Sequence, residues 1–327
     1  MSSSAKPVLY RPSSSVLVVS PTNQILLLRR TNASSYASAH VFPGGAVDPQ
    51  QDGAVTDDPC KIHFDSPAYR LAAIRECFEE SGLLLAKNEA DGTLVWLPEA
   101  RLQEARRRIH SQKISFQRWL KRIGAVADTE GLLPFTRWVS PHMVAKRFTT
   151  QMYIYFMPVE TAPAASTPFV PTTDGGLEHT EAAFDDAQHW VQQAQRNEIT
   201  LFPPQIYLLA LVSQFLTGTP APGSGDALSI IEAQRNALRE FIKTPQTGED
   251  ACAKTLWADK VMSPVYMGKI ADGRAVYRLD SPGQDLRGQN RYGDKERVVV
   301  GILGKEGAKS LEVRKRSEVK IVPREKL

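Results

Sequence analysis

The sequence has no long hydrophobic run, few cysteines and no strong excess of charge. No apolar run approaches the ~20 residues that span a bilayer, and the longest pieces, such as 206–212, have the length of a core element. The three cysteines, Cys60, Cys77 and Cys252, are too widely spaced for a disulfide framework or a Cys-x-x-Cys metal site. A reducing, intracellular setting is therefore the default.

The formal net charge of +4 restricts the expected partners. This charge is compatible with a small polyanionic substrate, but the sequence lacks the concentrated basic stripe typical of proteins that bind DNA or RNA. We therefore expect a small-molecule partner, no nucleic acid and no membrane span.

Composition along the chain suggests four segments. A Ser-rich stretch, 1–13, predicts a flexible leader, and 14–216 holds alternating strand and helix patterns. The Gly- and Pro-rich segment 217–226 has the composition of a linker. Residues 227–327 predict one helix followed by a small β-rich extension, which either packs on the main domain or forms the interface of a homodimer.

One segment, 75–83, concentrates charge among apolar neighbours. Leu71, Ile74 and Phe78 recur at helical spacing around it, which predicts an amphipathic helix ending near Gly82. Its glutamates, Glu76, Glu79 and Glu80, stand at i, i+3 and i+4 and so share one face of that helix. Three crowded carboxylates indicate a site for a hard divalent cation; the alternative is an ordinary solvated acidic face.

Together with the upstream turn His40-Val41-Phe42-Pro43-Gly44-Gly45, this segment resembles the box of the Nudix hydrolases. That box begins with Gly, five residues, Glu and seven further residues. It ends with Arg-Glu-U-x-Glu-Glu-x-Gly-U, where U is a bulky apolar residue. The second half matches from Arg75 to Leu83. The first half departs from the pattern, because Gln51 stands where Glu is expected and an acidic insertion, 49–67, lengthens the box by about sixteen residues. Either Asp48 or Asp52 is expected to replace the missing Glu as partner of Arg75.

An interruption of this kind is a feature of the peroxisomal coenzyme A diphosphohydrolase branch of the family. Further stretches between about residues 10 and 216 resemble the same branch: Arg29-Arg30, Trp138-x-Ser-Pro, Arg147-Phe148-Thr149-Thr150 and Phe202-Pro203-Pro204-Gln205. The C-terminal Glu325-Lys326-Leu327 departs from the peroxisomal address Ser-Lys-Leu at its first residue. A peroxisomal location is therefore one expectation, with the mitochondrion and the cytosol as alternatives.

The resemblance implies an α/β/α sandwich with a mixed β-sheet and hydrolysis of a nucleoside diphosphate linked to another group. It implies Mg²⁺ or Mn²⁺ held by Glu76, Glu79 and Glu80, with the carbonyl of Gly45 as a further ligand. Arg75 is expected to orient the helix. Substrate contacts are expected from Arg29 or Arg30, from the Gly44 turn and from Arg147.

Two assignments stay open at this point. In Nudix folds the later strand, here within 177–191, lies across the cleft, so the candidate general bases are Glu181, slightly ahead, and Glu178, with His142 and His179 as alternatives. The long basic helical stretch 99–123 carries the run Arg106-Arg107-Arg108, which is either a solvated face or a grip on the nucleotide end of a substrate.

For the substrate, the branch implies coenzyme A or acyl-coenzyme A. Another dinucleotide, such as ADP-ribose or NADH, is the first alternative. A non-catalytic Nudix-like binding module is the second.

Overall fold

The computed structural model describes residues 10–31, 38–56, 58, 61–144, 146–159, 170–218, 226–283, 286, 288–304 and 307–322. The C-terminal tripeptide lies outside these residues, and so do most of the predicted leader and most of the predicted linker. The leader was expected to reach residue 13, whereas the first strand begins at Arg11.

In the described residues the chain forms fourteen strands and seven helices. The strands are β1 Arg11–Val19, β2 Ile25–Arg30, β3 His40–Val41, β4 Gly44–Ala46, β5 Ala86–Asn88, β6 Ala125–Ala127, β7 Leu133–Val139, β8 Phe148–Phe156, β9 His179–Asp185, β10 Val261–Met262, β11 Val265–Lys269, β12 Ala275–Leu279, β13 Asp294–Gly304 and β14 Gly307–Lys315. The helices are α1 Pro67–Ser81, α2 Glu99–His110, α3 Phe116–Arg122, α4 Ala187–Gln195, α5 Pro203–Val212, α6 Ala227–Lys243 and α7 Ala251–Lys254. Among these residues, no helix combines the length and apolarity that crossing a bilayer requires.

The main sheet is mixed and has the order β10-β7-β8-β1-β2-β3, with β4 paired to β1 and β9 paired to β2. β1 runs parallel to β8, and β10 runs parallel to β7. The other pairs in this sheet are antiparallel. The Ser20–Gln24 turn joins β1 to β2 in a β-hairpin.

Alternation along β1 gives the sheet two apolar faces, because successive side chains of a strand point to opposite sides. Val16 and Val18 pack in one core with residues of α1, α2 and α3. Leu17 and Val19 pack in a second core with residues of α4, α5 and α6. Helices therefore cover both sides of the sheet, and the expected α/β/α sandwich is confirmed.

The C-terminal segment forms a second antiparallel sheet, β11-β12-β13-β14, and also adds β10 to the main sheet. Leu238, Trp257 and Leu311 of this segment lie in the same core cluster as α4 and α5. Arg235 of α6 is 2% exposed and donates hydrogen bonds to the carbonyl oxygens of Ser20 and Met157, both at 2.7 Å. The extension packs on the main domain; its role in a homodimer stays a prediction.

The prediction of one long helical stretch over residues 99–123 is wrong in one respect, because these residues form two helices, α2 and α3. Gln112 takes a left-handed backbone conformation with φ of 56°, which ends α2. Ser115 then caps α3, since its side chain accepts the N–H of Arg118.

Candidate active site

The helix α1 carries the glutamates. It begins after Ser66 with Pro67 in the first turn, and it ends at Gly82, whose left-handed φ of 75° stops the helix while its N–H donates to the carbonyl of Phe78. Buried Phe78 and Cys77 hold one side of the helix in the core. The side that carries the glutamates lies against β4 and the Gly44-Gly45 turn.

Arg75 organises the carboxylates around it. Its Nε and Nη2 each donate to one oxygen of Asp52 at 2.8 Å, while Nη1 donates to Glu79 at 2.9 Å and Nη2 lies 2.9 Å from Glu76. Asp52 thus takes the place of the missing box Glu. Asp48 supports the turn instead, because its backbone N–H donates to Asp52 and its own carboxylate accepts the N–H of Gln50.

The Gly44-Gly45 turn lies directly on the glutamates. The N–H of Gly44 donates to Glu80 at 2.8 Å. A Cβ at Gly45 would come within 2.5 Å of the Glu76 carboxyl carbon, so a larger residue there would displace the Glu76 side chain. The turn therefore fixes both ends of the acidic face.

Burial and mutual repulsion make two of these carboxyls weak acids. Burial raises the pKa of Glu76 to about 7, with the charge of Glu79 adding to the shift and Arg75 opposing it. Burial also raises the pKa of Glu80 well above its usual range, and the charge of Glu76 adds to that. The face holds more negative charge than Arg75 compensates, which is the condition that a divalent cation relieves.

The donor set suits a hard cation in its chemistry, since it consists of carboxylate oxygens. Within the described residues, however, no three acidic, His or Cys side chains already converge as a ligand cluster. Arg75 contacts both Glu76 and Glu79. Holding a metal therefore requires these two side chains to turn away from the guanidinium.

His179, at the start of β9, is the residue from across the cleft that reaches the acidic face. Its ring is 1% exposed, with Nε2 3.8 Å from Glu80 and Nδ1 3.5 Å from Asp174. Neither ring nitrogen has a hydrogen-bond partner within the described structure. Burial lowers the pKa of His179 and Asp174 opposes this shift, so the ring is neutral near pH 7 and able to accept a proton.

Glu181 and Arg29 are not brought to the carboxylates. They oppose each other across β2 and β9 and so share a face. That face is the α4 side of the sheet, because the charge of Arg29 acts on His40, which contacts Trp190. Arg30 lies on the other face, where its charge acts on Glu80 and His179.

Three predicted site residues remain, Glu178, Arg147 and His142. The side chain of Glu178 is exposed, although its charge raises the pKa of Glu80. Arg147 precedes β8, where it lies 5.9 Å from the ring of Tyr10 and donates to the carbonyl of His142. The exposed side chain of His142 has no contact with the carboxylates in the described structure.

Sequence reasoning missed the roles of Arg106 and Asp174. Arg106 is 4% exposed and holds the end of α1, whereas Arg107 is 75% exposed. The spacing did carry a signal, since Arg106 follows Leu102 by four positions and precedes Ile109 by three, on the apolar face of α2. The sequence around Asp174, Asp-Gly-Gly, indicated only a turn.

Comparison with known proteins identifies the domain. A family model described as the NUDT19 Nudix domain matches residues 55–212. This region, slightly less than half of the chain, is similar to a Nudix domain. The match begins inside the insertion, and the Gly44-Gly45 turn, which precedes the matched residues, contacts them through α1.

Two curated proteins are similar to this chain. The acyl-coenzyme A diphosphatase NUDT19 of Gallus gallus is 28% identical over 240 residues, covering 59% of this chain and 61% of the relative. The putative nudix hydrolase 7 of Caenorhabditis elegans is 26% identical over 203 residues, covering 62% of this chain and 60% of the relative. The chain spans about three fifths of the length of each relative.

Among solved structures, a NUDIX hydrolase from Alicyclobacillus acidocaldarius is similar, with 21% identity and a TM-score of 0.47. The similarity covers 68% of this chain and 97% of that structure.

Proposed function

We propose that this chain is a pyrophosphohydrolase that depends on a divalent metal and cleaves the diphosphate of coenzyme A or acyl-coenzyme A to 3′,5′-ADP and (acyl-)phosphopantetheine. The observation that carries the proposal is the acidic face of α1 under the Gly44-Gly45 turn. Arg75 contacts Glu76 and Glu79 there, and Glu80 accepts the N–H of Gly44. The choice of coenzyme A is supported by the name of the chicken relative and by the branch-like motifs.

Glu76, Glu79 and Glu80 would hold the metal, with the Gly45 carbonyl as a further ligand. A bound Mg²⁺ or Mn²⁺ supplies charge neutralisation at the diphosphate and a more acidic water. Arg75 does not touch substrate in this scheme. It fixes the orientation of α1 through Asp52 and releases Glu76 and Glu79 when they take up their ligand positions.

The reaction adds a water oxygen to one phosphorus of the diphosphate. The bond from that phosphorus to the bridging oxygen breaks, and the bridging oxygen leaves with the other phosphate. We assign the water proton to His179, which replaces Glu181 as the candidate base because it alone of the two lies at Glu80. We propose that Arg30, on the same face, pairs with a phosphate oxygen of the substrate.

Product identification by mass spectrometry tests the proposal. The purified protein is incubated with coenzyme A, an acyl-coenzyme A, ADP-ribose and NADH, each with Mg²⁺ or Mn²⁺. We expect 3′,5′-ADP and phosphopantetheine from coenzyme A. Faster turnover of ADP-ribose or NADH would overturn the substrate assignment, and no turnover of any compound would favour a binding module.

Substitution of the glutamates tests the metal site. Glu79→Gln and Glu80→Gln should each lower the rate by about 10² to 10³, the usual cost of one preorganised electrostatic group. Glu240→Gln is the matched control, because its side chain on α6 is 74% exposed. Unchanged turnover in both site variants would refute the metal assignment.

The resemblance also favours a peroxisomal location. Imaging the full-length protein with a fluorescent tag at its N-terminus tests this location.

A further inference from the structure

Arg106 of α2 is a buried cation that contacts two separate segments at the edge of the site. On one side, its Nε and Nη2 donate to the backbone carbonyl of Glu79 at 3.1 and 2.8 Å. This carbonyl lies in the last turn of α1, where carbonyl oxygens have no partner within the helix. Arg106 thus caps the helix at the residue that carries one of the site carboxylates.

On its other side, Arg106 holds the segment that leads into β9. Its Nη1 donates to the hydroxyl of Thr172 at 2.9 Å and to the carbonyl of Thr173 at 3.1 Å. The N–H of Thr172 donates in turn to the carbonyl of Ser81 at 2.8 Å. A Cβ at Gly82 would come within 2.8 Å of the Thr172 hydroxyl, so the segment lies directly on the end of α1.

The next residues form a turn around Asp174. The carboxylate of Asp174 accepts four successive backbone N–H groups, those of Gly176, Leu177, Glu178 and His179. A carboxylate that bonds its own following backbone fixes that turn in one conformation. Since Asp174 also lies 3.5 Å from the ring of His179, the turn determines where that ring stands.

We propose that Arg106 is a positioning residue, which locks the loop 172–179 to the C-terminal turn of α1 and thereby holds His179 against Glu80. Arg106 reaches a backbone carbonyl of each segment and no carboxylate of the site. Its role therefore lies in the placement of other groups. This inference rests on the proposed hydrolase function.

The planar guanidinium explains why arginine stands here. Its donors point in fixed, divergent directions, so one side chain satisfies two segments at once, whereas a lysine ammonium is a single point donor. Arg107, one position along, faces solvent and pairs only with Glu104 among the described contacts. The two neighbours provide a test variant and a matched control.

The experiment compares Arg106→Gln, Arg106→Lys and Arg107→Gln in the full chain by two independent measurements. Hydrogen exchange measures how often the amides of 172–179 open. Steady-state kinetics with coenzyme A and Mn²⁺ separates kcat from KM.

For Arg106→Gln we expect at least about tenfold faster exchange in the loop. The same variant should lose about 10- to 100-fold in kcat, with KM changed less than about threefold, because misplacement of a group lowers the rate without removing a substrate contact. Arg106→Lys should be intermediate in both measurements. Arg107→Gln should match the wild type.

Three results would overturn the proposal. The first is unchanged exchange in Arg106→Gln, the second is a raised KM with unchanged kcat, which would make Arg106 a substrate contact, and the third is full rescue by Arg106→Lys. If Arg106→Gln does not fold, Thr172→Val decides, because it removes one acceptor and should shift both measurements in the same direction by less. If the wild type does not cleave coenzyme A, the proposed function fails, while hydrogen exchange still tests the lock.

Discussion

Arg75 and Asp52 form a buried ion pair through two parallel hydrogen bonds, one from Nε and one from Nη2, both 2.8 Å long. The Asp52 side chain is fully buried and that of Arg75 is 7% exposed. The pair joins the insertion to the centre of α1 across 23 positions of sequence. The acidic insertion is thus part of the site, and it supplies the carboxylate that the uninterrupted box takes from its own Glu.

Asp52→Asn should destabilise the protein by about 1–3 kcal/mol, because it removes the charge of the buried partner that accepts two hydrogen bonds from Arg75 and leaves Glu76 and Glu79 as the remaining counter-charges. Activity should fall as well, since Arg75 orients α1. Asp48→Asn is the control, as the Asp48 carboxylate only accepts the N–H of Gln50 at an exposed turn. Urea unfolding and turnover check both variants, and equal effects would mean that Asp52 has no special role.

Substitution of two residues of β9 should show whether His179 or Glu181 acts as the general base. His179→Gln should lower kcat by about 10² or more, the range of a lost general base. Glu181→Gln should stay near the wild-type rate, because its side chain is exposed on the other face of the sheet. Steady-state kinetics measures both, and a larger loss in Glu181→Gln would return the base to that residue.

Stability in the absence of divalent metal should depend on the protonation of Glu76. Its folded-state pKa is raised to about 7, so its protonated form contributes stability below its ordinary pKa, and that contribution is lost as pH rises through 7. Glu76→Gln stays neutral and keeps the stability. In EDTA, the free energy of unfolding of Glu76→Gln should therefore rise relative to that of the wild type between pH 5 and pH 8, by about 1–3 kcal/mol at pH 8.

Thermal unfolding of Glu76→Gln and wild type across this pH range provides the measurement. Comparing the two proteins cancels the titration of groups that do not interact with Glu76, including His40, whose pKa burial lowers to about 4. Added Mn²⁺ should make the wild type the more stable of the two at pH 8, since only the charged carboxylate of Glu76 binds the ion. A difference in Tm that stays constant with pH would contradict the prediction.

Removal of the Arg235 guanidinium should destabilise the extension and the main domain together, so that both still unfold in one transition. Arg235→Met leaves three buried acceptors, on Ser20, Asn23 and Met157, without this donor and should cost about 3 kcal/mol or more. Lys243→Gln on the same helix should be neutral, because Lys243 is 63% exposed. Denaturant unfolding followed by tryptophan fluorescence should show one transition, whereas two separate transitions would mean an independent extension.

The sequence predicted those features of the site that depend on local spacing. Glu76, Glu79 and Glu80 share a face because i, i+3 and i+4 always do in a helix, and Gly82 ends that helix because glycine tolerates the left-handed conformation. The Gly44-Gly45 turn was recognised from its motif. The structure gives the reason for the glycines: a Cβ at Gly44 would come within 2.3 Å of the Ser14 carbonyl oxygen on β1, and a Cβ at Gly45 would meet the Glu76 carboxylate on α1.

The choice between His179 and Glu181 was beyond sequence reasoning, since a slip of one residue in a strand exchanges its two faces. The pairing of β2 with β9 shifts register between Arg29 and Arg30, and this irregularity places His179 opposite Arg30 and Glu181 opposite Arg29. Alternation within β9 alone does not reveal such a shift.

By itself, then, the sequence determined the acidic helix and its glycine turn, because helical periodicity and turn composition are properties of neighbouring residues. The α/β/α class was implied by the resemblance of these motifs to a known family. Only the tertiary structure decided that Asp52 pairs with Arg75, that Arg106 is buried at the end of α1 and that His179 reaches Glu80. Each of these contacts joins segments far apart in the chain, and a buried polar group is stable only where packing brings its partner to it.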